Sequence, residues 1–300
     1  MARLAALLFA CSLVALPAAA DTGELPPRLA DLAGARSEAM GGAFRAVGTS
    51  NDTLMLNPAG LGAASRYEVN GLGSYDLGRA GGTYGANIAD SMDGPFAGGL
   101  SYTRFYQGPP GPWTVANDFR LALALPIGPN LTIGLTGKWI YMSSLRRHDA
   151  VTPDAGAMLR LDLVTVALVA YNLVDVSSKE LPRQFAAAVA VGPDSTWKVA
   201  FDVVADTASR PEPSFAFQAG GEFLPLNYLA VRAGYDEDRI RLARFLAGGV
   251  GVQFPVGVGA DLTYRHQLNG AVPSRELLLT VKVLPFAGAD QEATQNYLDQ

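Results

Sequence analysis

From Tyr67 to Val283 the chain repeats one pattern, an apolar residue followed by a polar or small one. A two-residue period marks a sheet with one greasy face and one wet face. In "VGVGADLTYR", Val256, Val258, Ala260, Leu262 and Tyr264 share one face, and Asp261, Thr263 and Arg265 share the other. In "DFRLALAL", Phe119, Leu121, Leu123 and Leu125 oppose Asp118 and Arg120, and in "TWKVAFDV", Trp197, Val199, Phe201 and Val203 oppose Lys198 and Asp202. About fourteen such segments can be counted, centred on Val69, Gly85, Leu100, Leu121, Leu135, Leu159, Leu168, Ala188, Phe201, Phe217, Val231, Val250, Leu262 and Leu279. Each is close to the length of a tilted membrane-barrel strand, about 9–11 residues. The segment around Leu168 is apolar on both faces, so its orientation is open.

The connections alternate in length. "PIGPN", "GPDST", "PLN" and "PVG" are tight, whereas "YQGPPGPWTVAN", "MSSLRRHDAVTP", "LVDVSSKELPR", "ADTASRPEP", "YDEDRIRL" and "HQLNGAVPS" are longer. Short turns on one rim and longer loops on the other are an outer-membrane barrel's habit. The greasy face is expected to carry no Lys, Arg, Asp or Glu, because a basic residue at mid-membrane costs about 2–4 kcal/mol. Tyr67, Tyr75, Tyr102, Trp139, Tyr141, Phe223, Tyr235, Phe254 and Tyr264 fall toward segment ends, as interfacial aromatics do. In lipid a sheet must have no open edge. The expected fold is therefore all-β, a transmembrane antiparallel barrel of about fourteen strands.

The N-terminus sets the compartment. Arg3, the apolar run "LAALLFACSLVAL" and the small residues "PAAA" before Asp21 form a cleavable secretory signal over residues 1–20. Cys11, the only cysteine, lies inside it, so the exported chain has no disulfide. A formal charge of −5 argues against a nucleic-acid partner. Beyond the signal, the apolar run at Leu163–Tyr171 is too short for a membrane helix, which needs about 20 residues. The domain reading is signal peptide (1–20), a distinct N-terminal segment (21–66), barrel (67–286) and polar periplasmic tail (287–300), in the outer membrane of a Gram-negative bacterium with outer-membrane lipid as its surroundings.

Within 21–66, "RSEAMGGAFRAVG" predicts a short helix broken at Gly41 and Gly42. In "NPAGLGAAS", Asn57 is a good N-cap and Pro58 suits the first helical position, so Asn57, Pro58, Ala59 and Gly60 read as a capped turn. These stretches, with "VALVAYNLVDV", "LPRQFAAAVAV", "AGGEFLPLNYLAVRAGY" and "GGVGVQFPVGVGADLTYRH", resemble the PorV/PorQ branch of the long-chain fatty-acid transporter (FadL) superfamily over about Arg36 to Phe286. The resemblance implies a fourteen-stranded barrel whose N-terminal segment folds into the lumen, with Asn57, Pro58 and Ala59 in that hatch.

The wet face supplies the expected lumen charges: Arg120, Lys138, Arg160, Lys198, Arg232, Arg265 and Lys282, against Glu68, Asp118, Asp162, Asp202, Glu222, Asp261 and Glu276. Balanced signs give no ion-selecting field and suit a filled lumen. Inward apolar residues are expected to be few, chiefly Leu72, Ile140, Met158 and Leu278. That scarcity favours a plugged, non-enzymatic barrel with envelope protein partners in a secretion or surface-motility apparatus. The alternative implied by the resemblance is a FadL-type passive transporter of small hydrophobic compounds, with a moving hatch and a lateral opening.

A third reading is a hydrolase or acyltransferase built on His148 or His266, with Ser143, Ser144 and Asp149 near His148. Neighbouring residues on one loop make no base–orienter geometry, and G-x-S-x-G is absent from the sequence. No cofactor or metal is expected: "DEDR" (Asp236 to Arg239) lacks a calcium loop's spacing and reads as a solvated acidic loop. Gly248, Gly249 and Gly251 make no dinucleotide fingerprint and suit sheet curvature or close approach of the hatch.

Overall fold

A computed structural model describes residues 33–49, 51–92, 95–108, 114–143, 147–176, 181–193 and 195–285. The expected signal peptide and C-terminal tail lie outside the described residues. Fourteen antiparallel strands form a closed barrel: β1 (Tyr67–Asp76), β2 (Gly81–Asp90), β3 (Ala97–Gln107), β4 (Thr114–Ile127), β5 (Leu131–Ser143), β6 (Arg147–Leu161), β7 (Val164–Tyr171), β8 (Gln184–Val191), β9 (Trp197–Asp206), β10 (Ser214–Leu226), β11 (Leu229–Asp238), β12 (Ala243–Gln253), β13 (Val258–Gln267) and β14 (Arg275–Val283). Every segment predicted from the alternation falls in its own strand. Closure is made by β1 against β14, with Asn70 opposite Lys282 and Leu72 opposite Thr280. Each strand pairs with its chain neighbours, so no edge is left to seek partners in lipid.

Burial alternates along the strands as the period-two pattern requires. In β5 the even positions Thr132 to Met142 are buried and the odd positions from Ile133 to Trp139 are exposed. The ambiguous β7 takes one register: Ala167 and Val169 face inward, while Val166 and Leu168 face outward.

Three expectations need correction. "MSSLRRHDAVTP" is mostly strand, with β5 running to Ser143 and β6 starting at Arg147. The acidic stretch Asp236–Asp238 is the end of β11 rather than a loop, with Asp236 and Asp238 buried. The outward face is not wholly free of charge: Asp90, Arg104, Asp149, Glu237, Arg244 and Arg275 face outward. All six lie within the first or last four residues of their strands, where the wall reaches past the hydrocarbon and charge is cheap.

The barrel's interior is occupied. Residues 33–63 carry two short helices, α1 (Ala35–Ala39) and α2 (Thr53–Leu56), and a 3-10 helix over Pro58–Ala63. Met40, Ala43, Phe44, Met55 and Leu56 of this segment pack on Ala167, Ala188, Ala190 and Ala200 of β7–β9. Leu54 and Leu61 pack on Ala89, Ala97, Ala122 and Ala124 of β2–β4. Alanine on the inner wall leaves the room that the segment's larger side chains fill.

Candidate functional site

A helix of four or five residues has no independent stability, and most of its carbonyls lack an internal partner. Here the wall supplies the partners. Arg120 Nη1 donates to Met55 O (3.1 Å), Tyr171 Oη to Leu56 O, Arg160 Nη1 to Ala63 O, and Thr263 Oγ1 to Ala35 O (2.6 Å). Thr280 Oγ1 accepts the Ala35 N–H at 2.9 Å. These side chains come from opposite sides of the barrel, so the segment is held across the lumen rather than against one wall.

Asn57 is the segment's internal knot. Its Oδ1 accepts the Ala59 N–H at 3.1 Å, its Nδ2 donates to Arg45 O at 2.9 Å, and Pro58 opens the 3-10 helix. Gly41 and Gly42 end the first turn with φ of 65° and 80°, where a Cβ would be strained.

The wall accommodates this backbone at two glycine pairs. Gly220 of β10 stands opposite Gly234 of β11, and Gly134 of β5 opposite Gly156 of β6. A Cβ on Gly234 would lie 2.1 Å from Gly41 N, and one on Gly220 2.2 Å from Met40 O. A Cβ on Gly134 would lie 2.5 Å from Ala59 N, and one on Gly156 2.2 Å from Asn57 Oδ1. Met40–Gly41 and Asn57–Ala59 are thus the two places where segment and wall touch backbone to backbone. Gly60 instead turns toward Gly48 O and Thr53, within the segment.

The lumen charges pair almost completely. Arg232 joins Glu222 (2.5 Å) and Asp261 (2.7 Å), which also takes Lys282 (3.0 Å), and Arg36 of α1 completes the set at 2.7 Å from Glu222. Arg265 reaches Glu38 of α1 (3.4 Å), Asp236 (3.4 Å) and Glu276 (3.1 Å). Asp118 pairs with Arg120 at 2.6 Å, and Lys138 with Asp154 at 2.8 Å. Asp202 accepts the Phe44 and Arg45 N–H groups and Arg45 Nη1, each at 3.1 Å. Lys198 faces inward near the short-turn rim, and Arg160 is half-buried there. Asp162 is a correction: it sits exposed in the tight β6–β7 turn with φ of 47°, where Asp is tolerated, and not in the lumen. Asp52, buried beside α1, accepts the Ser37 N–H at 3.2 Å. Burial, then the charges of Glu68 and Asp261, pushes its carboxyl above the ordinary value.

Sequence reasoning missed the mouth. On the inner face toward the long-loop rim, Ala116, Ile140, Met142 and Ala150 of β4–β6 pack with Leu181 from the β7–β8 connection, joined by Phe105 and Val176. Beside them Val169, Tyr171, Ala186, Val204 and Ala216 pack with Ile240 from the β11–β12 connection. Two apolar clusters thus stand in the outer half of the lumen along β3–β10, between buried polar residues such as Thr152, Gln184 and Asp206, and two loops turn a branched aliphatic side chain into them. The Lys138–Asp154 pair sits at the foot of the first cluster, where Asn172 accepts from Lys138 Nζ (2.6 Å) and donates to Pro182 O (2.7 Å), tying down the Leu181 connection.

Among the described residues no catalytic arrangement accompanies these features. Asp149 accepts from the Trp139 indole N–H on the outward face, and His266 stacks on Tyr264, also outward. Among the described residues no group of His, Cys, Asp and Glu could hold a metal ion.

No protein-family model and no curated protein sequence matches the chain. Solved structures do. The chain is similar to a monoaromatic hydrocarbon channel, CymD, at 14% identity and a TM-score of 0.65, covering 83% of this chain and 96% of that one. It is similar to the toluene transporter TbuX of Ralstonia pickettii at 12% identity and a TM-score of 0.63, over 84% and 98%. It is also similar to a FadL homologue of Pseudomonas aeruginosa at 10% identity and a TM-score of 0.62, over 88% and 100%. At such identities the likeness is one of fold: this chain shares its closed barrel architecture with those proteins.

Proposed function

We propose that the protein is a non-enzymatic outer-membrane channel through which small hydrophobic compounds pass, with residues 33–63 as its hatch. The observation that carries this reading is the pair of apolar clusters in the outer half of the lumen, which include Leu181 and Ile240 from the loops, above a backbone-docked segment. Water-filled pores are lined by polar residues; a greasy mouth over a sealed floor suits a solute that leaves water willingly. The fold likeness to channels for monoaromatic hydrocarbons points to the same class. Neighbouring strands are joined all round the wall, with one register shift between Phe223 and Leu226 and with β6 paired to β7 only over Ala155–Leu161; the route in this reading lies along the lumen past a displaced hatch.

The scaffold reading rested on outer loops without a long apolar insertion and on a scarcity of inward apolar residues, and the two mouth clusters weaken the second ground. The envelope partners and the PorV/PorQ branch rest on the sequence resemblance alone. Uptake of a labelled monoaromatic hydrocarbon by Gram-negative cells that make this protein and lack another such channel tests the proposal. Uptake rises several-fold over cells without it, and Ile140→Asn with Met142→Gln removes the rise. Equal uptake with and without the protein sinks the reading.

A further inference from the structure

On the outward face of β3–β5, strand register stacks three rows. Nearest the long-loop rim run Arg104, Asn117 and Tyr141; next Tyr102, Phe119 and Trp139; then Leu100, Leu121 and Gly137. The middle row is a continuous aromatic shelf, with ring centroids 4.7 Å apart between Tyr102 and Phe119 and 5.2 Å between Phe119 and Trp139. Below it the surface dips: nothing lies within 4 Å of where a Gly137 Cβ would stand, while Leu121 and Trp139 beside it remain 55% and 46% exposed. The dip is one end of a cleft floored by the strands and walled by apolar side chains.

Above the shelf, Arg104 Nη1 donates to Asn117 Oδ1 at 3.3 Å, and Tyr102 Oη donates to the same oxygen at 3.1 Å. Among the described residues no carboxylate pairs with Arg104. The outward Arg244 at the same rim differs, lying 3.7 Å from Glu237. Asp149 is the nearest acid in the Arg104 row, three strands away or about 14 Å at ordinary strand spacing, and it is turned to the Trp139 N–H. That separation exceeds the screening length of about 8 Å.

We infer that this strip binds an anionic, phosphate-bearing lipid of the leaflet at the long-loop rim. One acyl chain lies in the cleft at Gly137 beneath Phe119 and Trp139, and the phosphate meets the Arg104 guanidinium. The order from rim to midplane, a cation, then aromatic rings, then an apolar cleft, is the order of headgroup, interface and chain in such a lipid. Arginine's planar fork suits phosphate oxygens, and Asn117 orients it from beside. The inference rests on the barrel lying in a membrane, not on what crosses its lumen.

Native mass spectrometry of the full-length protein in micelles doped with either diphosphoryl lipid A or diacylglycerol tests it, with heat-shifted gel mobility showing that each variant is a folded barrel. Wild type retains one lipid A in preference to diacylglycerol. Arg104→Gln lowers lipid A retention about fivefold, the worth of one basic residue at an anionic surface, and leaves diacylglycerol unchanged. Gly137→Leu, whose side chain enters open space and fills the dip, lowers retention of both. Equal retention of the two lipids by wild type, or wild-type retention by either variant, overturns the inference. Loss of the heat shift in wild type would instead overturn the membrane barrel itself.

Discussion

Gly234→Ala puts the docking of the N-terminal segment to a sharp test. The added Cβ would stand 2.1 Å from Gly41 N, and real Cβ contacts essentially never fall below 3.0 Å. The obstructing atom is backbone, so no side chain can swing aside, and the segment must retreat by about 1 Å from a close-packed contact. On the same wall, two strands along on β9, Asp202 holds the segment by three hydrogen bonds of 3.1 Å. The same retreat stretches those bonds beyond useful range. Overpacking costs about 1–3 kcal/mol, and weakened bonds to a buried charge about 1.5–3 kcal/mol more. Since these are not additive, we take about 3 kcal/mol, roughly a hundredfold fall in the ratio of docked to released segment. The wall itself survives, because every ladder bond of β10 and β11 remains. In planar bilayers, Gly234→Ala and its partner Gly220→Ala show frequent openings where wild type is silent, and trypsin cuts after Arg36 or Arg45, which wild type protects. Gly221→Ala is the control, an outward site whose Cβ comes no nearer than 3.7 Å to Lys198 O. If Gly234→Ala matches Gly221→Ala in conductance and cleavage, the segment is not held where we describe it.

Two further perturbations probe the same docking. Asp202→Ala leaves the buried Arg45 guanidinium without its carboxylate, and removing one partner of a buried pair costs about 3–5 kcal/mol; thermal release of the segment, followed by protease sensitivity, moves to lower temperature, and an unchanged midpoint would show the pair to be idle. Asp52 carries a raised carboxyl pKa in the folded protein, from burial first and then from the nearby acids. The folded state therefore holds the proton more tightly, so Asp52's contribution to stability is greatest below the ordinary carboxylate value and falls as pH rises from there through the raised one. Asp52→Asn, which keeps an acceptor for the Ser37 N–H, removes that pH dependence and protects the segment at neutral pH at least as well as wild type. A variant less protected at neutral pH would mean that the ionised carboxylate, through Arg36, helps more than burial harms.

Part of the lumen was legible because alternation is local. Lys138, Asp202, Glu222 and Asp261 could be turned inward from their strand neighbours alone, since a period of two leaves each residue only two directions. Asp162 escaped because a two-residue turn interrupts the period just where it stands. Asp154 was missed because Arg147–Thr152 looked like loop. The apolar mouth was invisible for a different reason: Leu181 and Ile240 belong to connections, and no periodicity says that a loop residue folds back into the barrel.

The order of apolar and polar residues thus determined by itself that the chain is a closed, lipid-facing sheet, because satisfying every backbone group with one greasy face leaves a barrel as the solution. What stands inside was decided only by closure. Arg45 and Asp202 are 157 residues apart, and the Gly134–Gly156 and Gly220–Gly234 pairs lie on different parts of the wall. Their meeting with one short segment depends on the barrel's circumference and register, quantities that no stretch of sequence contains.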